Sequence, residues 1–151
     1  MTVITGGADG AGLRIAVARA RYNRPVTDGL LDGALRALDA AGVTDVTVVE
    51  VPGAFDLPLI VRGLAESGHD AVVAVGAVIE GETDHYEHVA HRATEGLMEV
   101  MLATGVPVTF GVLTVRNPSH AFARSGPDDR NKGKEAAEAA VELANLLREL
   151  G

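Results

Sequence analysis

Ala71-Val72-Val73-Ala74-Val75-Gly76-Ala77-Val78-Ile79 runs without a single polar side chain. An amphipathic helix would interrupt such a run with a polar residue every third or fourth position, and a strand wet on one face would alternate. A strand covered on both faces does neither, and strands of that kind belong to parallel sheets sandwiched between helices. The rest of the chain is consistent with that frame. Upstream, Leu13 to Ala20 reads as a second buried strand, and Val46 to Val51 as a third, ended by Pro52-Gly53. Downstream, Pro107 leads into a fourth strand from Val108 to Leu113, and the start of a strand is a place where proline is tolerated.

Helical periodicity fills the intervals. Thr27 is positioned to cap a helix whose apolar residues Leu30, Leu31, Ala34, Leu35, Leu38 and Ala41 share one side, closed by Gly42. Asp56 is positioned to cap the next, with Pro58 in its first turn and Gly68 at its end. Further helices are expected from about His85 to Thr104, around Ser119 to Arg124, and from about Lys134 to Leu150. Strands alternating with helices imply right-handed parallel crossovers. The expected architecture is therefore a three-layer α/β/α sandwich around a four-stranded parallel sheet, and of the common doubly wound strand orders the flavodoxin-like 2-1-3-4 is the one expected. Residues 13–151 read as one domain. Residues 1–12 read as a flexible, glycine-rich arm, and its β-prone Thr2-Val3-Ile4 suits addition to the sheet edge of a neighbouring subunit. The arm's glycines precede the first strand, whereas a dinucleotide-binding loop follows it, so they are not a Rossmann fingerprint.

With 151 residues, 47% hydrophobic and 23% charged, the composition is that of an ordinary folded domain. A net charge of −8 argues against nucleic-acid binding, which needs basic surface to neutralise phosphates. No apolar run approaches the ~18 residues that would span a bilayer, and the N-terminus lacks a basic-then-apolar export signal, so a cytoplasmic protein away from membranes is expected. The absence of cysteine removes disulfides and thiolate chemistry.

In open α/β sheets ligands bind beyond the carboxyl ends of the strands. The residues to inspect are thus Tyr22-Asn23, Gly53 to Asp56, Glu80 to His85, and Thr114 onward. Those places carry motifs that resemble the lumazine synthases, enzymes of riboflavin biosynthesis. Ala20-Arg21-Tyr22-Asn23 is similar to the family's aromatic-Asn pair after the first strand. Gly53-Ala54-Phe55-Asp56-Leu57-Pro58 is similar to its Gly-Ala-Phe-Glu-Ile-Pro segment. Gly76 to Glu87 (GAVIEGETDHYE) follows its longest motif, with Glu80 where the family usually has arginine. Phe110 to Thr114 resembles its fourth strand, and Arg124 to Lys132 keeps its eight-residue step from arginine to lysine. The matches run in register over nearly the whole chain.

The resemblance implies a transferase that joins a ribitylamino-pyrimidinedione to a dihydroxybutanone phosphate, giving dimethyl-ribityllumazine, without metal or bound cofactor. The reactive amine belongs to the substrate, so positioning and proton transfer supply the rate and no enzyme nucleophile is needed. Tyr22 would stack on the pyrimidine ring; its alternative role is a half-buried packing residue. Asp56 would bond the ribityl hydroxyls, or serve only as a helix cap. His85 would transfer protons, since an ordinary imidazole titrates near neutrality. Gly81-Glu82-Thr83 would cradle the phosphate at a helix start, with Arg124 as its charged fork and Lys132 as a second cation; both cations also read as plain surface residues. Asn23, Ala54, Phe55, Val78 and Ile79 complete the implied substrate contacts. Phe110 either lines the same pocket from a neighbouring subunit or is core.

His85, His88 and His91 raise a metal site, but members of an i, i+3, i+6 series stand about 60° apart on a helix, so the outer two diverge by about 120°. With no cysteine beside them, no metal is expected, and His88 and His91 read as surface or interface residues. Glu80, Glu82 and Asp84 place three carboxylates beside a proposed phosphate site, where side chains turned inward would repel the ligand. Two rival functions share the scaffold: a non-catalytic flavin- or lumazine-binding relative, and a structural shell protein. The resemblance further implies homo-oligomers with sites shared between subunits, a pentamer at least and a sixty-subunit shell where the turn before the last helix is short, and riboflavin synthase as a partner. Here Gly126-Pro127-Asp128-Asp129-Arg130 forms that turn without insertion.

Overall fold

A computed structural model describes all residues, 1–151. Four strands, β1 (Arg14–Ala20), β2 (Asp45–Val51), β3 (Ala71–Ile79) and β4 (Val108–Val115), form one parallel sheet in the order β2-β1-β3-β4. The run at 71–79 is the strand expected, internal to the sheet and buried along nearly its whole length. Five α-helices connect and cover the strands: α1 (Arg24–Ala40), α2 (Leu57–Ala65), α3 (His85–Thr104), α4 (Pro118–Ala123) and α5 (Lys132–Leu150).

Strand alternation divides the core in two. Ile15, Val17, Val73 and Val75 pack beneath α1 and α5 with Leu30, Leu38 and Val141. Ala16, Ala18, Val72 and Ala74 pack beneath α2 and α3 with Leu57, Val61 and Leu97. The three layers are those expected from the alternation of elements. The two helices on the first face approach closely through glycine: a Cβ on Gly133 would overlap the Leu30 carbonyl, and one on Gly29 of α1 would overlap the Ser125 carbonyl in the turn that precedes α5.

Three local expectations need correction. Helix α1 starts earlier than Thr27. Asn23 adopts a left-handed conformation (φ 62°) that asparagine tolerates, and Pro25 occupies the first turn, where its missing N–H is harmless. Thr27 is consequently inside the helix, buried, its hydroxyl without a partner. Asp56 does not cap α2 with its side chain. Residues Ala54–Asp56 form a 3-10 turn first, and the Asp56 carboxylate reaches back to accept from the Gly53 N–H at 3.0 Å. The glycine-rich arm is docked over residues 6–10. The Asn145 amide donates to the carbonyls of Gly7 and Asp9 at 2.9 and 2.8 Å, and the Gly10 N–H donates to the Ala41 carbonyl at 2.7 Å. Its glycines allow close approach: a Cβ on Gly6 would overlap the Glu142 backbone. Met1 to Thr5 remain exposed and form no strand within the chain.

At the carboxyl end of β1 the Arg19 side chain is almost fully buried yet charged. It pairs with Asp28 of α1 and, at 3.2 Å, with Glu50 of β2, its register neighbour. Glu50 also pairs with Arg24 at 3.1 Å. This cluster ties the sheet to the first turn of α1, directly below the loop that carries Tyr22.

Candidate active site

Beyond Ala20 the chain continues along the end of β2: the Arg21 and Tyr22 N–H groups donate to the carbonyls of Val51 and Pro52 at 2.8 and 3.0 Å. Asn23 then turns the chain into α1, and its side-chain amide donates to the Ala77 carbonyl on β3 at 3.0 Å. That bond crosses from one strand end to the next and leaves the Tyr22 ring 73% exposed. The 3-10 turn stands alongside, with Ala54 buried and Phe55 exposed. On the third side Val78 and Ile79 end β3, Gly81 and Thr83 follow, and the Thr83 hydroxyl accepts the His85 N–H at 3.3 Å at the start of α3.

These segments enclose an open cleft of about 740 Å³. Tyr22, Asn23, Ala54, Phe55, Asp56, Val78, Ile79, Gly81, Thr83 and His85 all line it. Glu82 does not. Tyr86, His88 and Val89 line it as well; His88 is exposed, as expected of a surface residue, but the surface it occupies is the cleft. The signal available was the i, i+3 step from His85, which puts both rings near one face of the first helical turn. His91 is exposed and outside the cleft.

The remaining candidates are elsewhere. Phe110, Arg124 and Lys132 line a second groove of about 520 Å³ between β4 and α5, together with Thr114, Glu135 and Leu143. Phe110 is 44% exposed on the edge strand, so it is not a core residue of the single chain. Its two cations are fixed relative to each other: the Lys132 N–H donates to the Arg124 carbonyl at 2.9 Å, and Arg124 Nη1 donates to the His120 carbonyl at 3.1 Å. Lys132 pairs with Glu135 at 3.0 Å. Lys134 turns away to Glu138 at 2.7 Å, a hydrogen bond that holds its ammonium above the usual lysine range.

The three carboxylates after β3 do not act together. Glu80 leans toward Arg116 at 3.5 Å, and Asp84 accepts from His88 Nε2 at 3.3 Å, so only Glu82 has no side-chain partner. No three histidine or carboxylate side chains converge in metal-binding geometry. One chain thus offers three aromatics and two histidines at one cleft, and two anion-seeking cations at another.

The family model for 6,7-dimethyl-8-ribityllumazine synthase matches residues 12–148. A protein named 6,7-dimethyl-8-ribityllumazine synthase from Kineococcus radiotolerans is 54% identical over 142 residues, 93% of this chain and 88% of the relative. Its namesake from Thermococcus gammatolerans is 48% identical, covering 97% of this chain and 96% of its own length. Another from Clavibacter sepedonicus is 49% identical over 93% of this chain and 88% of the relative. By the family match, these identities and their coverage, the chain belongs to the 6,7-dimethyl-8-ribityllumazine synthase family.

Proposed function

We propose that the chain makes 6,7-dimethyl-8-ribityllumazine at a site completed by two adjacent copies, one providing the Tyr22–His85 cleft and the other the Phe110–Arg124–Lys132 groove. The enzyme is a lumazine synthase, a transferase of riboflavin biosynthesis. The observation that carries the shared site is the separation of the two residue sets into two open concavities on one chain. A reaction that joins a heteroaromatic amine to a phosphorylated ketone needs a ring platform, a proton-transfer group and an anion clamp together.

In this reading Tyr22 and Phe55 flank the pyrimidinedione ring. Asp56, although held by Gly53, presents its remaining acceptor capacity to the ribityl hydroxyls, and Asn23 and Ala54 shape the floor. The neighbour's Phe110 closes the ring side, while its Arg124 and Lys132 meet the phosphate from across the Gly81–Thr83 backbone. The substrate amine adds to the ketone carbon, and both amine protons end on the oxygen, which leaves as water to give the imine. Loss of the neighbouring C–H proton expels phosphate and leaves an enol, which gives up its O–H proton and gains one at the terminal carbon to become a methyl ketone. The ribityl-bearing nitrogen closes the ring on that new carbonyl with loss of another water. His85, at the start of α3, moves these protons.

The minimum functional unit is a pentamer, acting in the cytoplasm, with riboflavin synthase as the partner that consumes the product. Edge strand β2 has only Val51 buried, which leaves it open to pairing with the Thr2-Val3-Ile4 segment of a neighbour. The short Gly126–Arg130 turn supports a shell of sixty copies. Light scattering at neutral pH tests the assembly, and formation of the lumazine from the two purified substrates tests the chemistry. A species near sixty chains with turnover is expected. A particle near five chains removes the shell, and a monomer that turns over removes the shared site.

A further inference from the structure

Beside His85 the cleft holds a second imidazole, His88, one helical turn along α3. Its Nε2 is engaged by the Asp84 carboxylate at 3.3 Å. A carboxylate accepts only, so Nε2 carries the proton and Nδ1 of the neutral ring is the free acceptor, able to take a proton and then return it. Asp84 is itself placed by the helix start: its carbonyl accepts the N–H groups of Glu87 and His88, at 3.0 and 3.4 Å. The pair is exposed, with the His88 side chain 74% accessible, and exposed pairs of this kind contribute little to folding. Stability therefore does not account for its place in the cleft lining.

We propose that His88, its tautomer set by Asp84, is a second proton-transfer group of the lumazine-forming reaction. The proposal rests on the reading of the Tyr22–His85 cleft as the substrate site. Imine formation moves two protons from the amine nitrogen to one oxygen: the N–C bond forms, the carbonyl π pair goes to oxygen, and water departs as C=N forms. One imidazole cannot be base toward nitrogen and acid toward oxygen at the same instant. With His85 protonated and His88 neutral, His88 Nδ1 accepts the first nitrogen proton while His85 donates to the carbonyl oxygen. His85 then accepts the second nitrogen proton while His88 donates to the hydroxyl, which leaves as water, and both rings are restored.

The test is steady-state turnover of the full chain with both substrates, in the parent, His88→Gln, His85→Ala and the double variant, with melting temperatures alongside. Glutamine keeps a donor for Asp84 and removes the ring nitrogen that takes the proton. The expected result is a roughly 3- to 10-fold fall in kcat for His88→Gln, with both KM values within about twofold of the parent. A smaller further fall is expected in the His85→Ala background, because loss of either ring already breaks the exchange between them. Unchanged kcat in both backgrounds overturns the proposal, as does a loss confined to KM or one matched by a lower melting temperature. If His85→Ala and Tyr22→Ala also turn over like the parent, the cleft itself is not the site and both readings fall. If those two are slow while His88→Gln is not, only the role of His88 falls.

Discussion

Replacing Asn131 with alanine should destabilise the protein by about 3 kcal/mol and loosen the cation pair of the second groove. Asn131 is fully buried, and its side chain makes three bonds. The carbonyl oxygen accepts the Lys134 N–H at 3.0 Å and so caps α5. The amide donates to the carbonyls of Gly29, in α1, and Gly126, in the turn, at 2.9 and 2.8 Å. Losing a cap removes about 1 kcal/mol, and losing each of two buried bonds about 1 more. Truncation also opens a void against Gly33, whose own Cβ would overlap Asn131. For a chain of this size the sum lowers the melting temperature by roughly 6–12 °C. Because assembly raises apparent stability by mass action, the melts must be compared at one chain concentration. Asn131→Asp keeps the cap acceptor but loses both donors and buries a charge, so it should fare no better than alanine. A shift of less than about 1 kcal/mol for Asn131→Ala would refute the claim that this side chain anchors the turn to both helices.

His85→Ala should lower turnover about 10- to 100-fold at saturating substrate and leave particle size unchanged; unchanged turnover removes its role in proton transfer. Arg124→Ala should weaken binding of the butanone phosphate and of inorganic phosphate with little effect on the pyrimidine, which parallel titrations of the two ligands will separate; equal phosphate affinity in both proteins argues against the clamp. Riboflavin fluorescence should be quenched by the parent and less so by Tyr22→Ala, and equal quenching places the ring elsewhere.

Much of the fold was legible because the deciding signals are local. The apolar run at 71–79 and the helical period from His85 to Thr104 coincide with β3 and α3. What escaped was set by contacts distant in sequence or by conformations that leave little trace in composition. Asn23 with Pro25 two residues on is a helix-start signal that competes with Thr27, but Asn23 starts α1 through a left-handed backbone and spends its side chain on Ala77, on another strand, in place of capping the helix. The arm reads as flexible from its glycines alone; Asn145, at the far end of the chain, holds it. The spacing of His85 and His88 was visible, but the face α3 turns to the cleft is decided by burial of Ala90, Ala93 and Leu97 beneath it. Motif order likewise placed every candidate in one series, whereas folding separates them into two concavities.

The site shared between copies is tested most directly by mixing. His85→Ala and Arg124→Ala each damage one half of the proposed site and leave the other intact. Unfolding the two variants together and refolding them as one assembly should restore about a quarter of the sites at equal mixing, since a neighbour pair then carries both intact halves by chance. Each variant refolded alone should stay slow. Recovery of lumazine formation near that fraction is the predicted result; activity no higher than the average of the two variants would contradict a site completed by an adjacent copy.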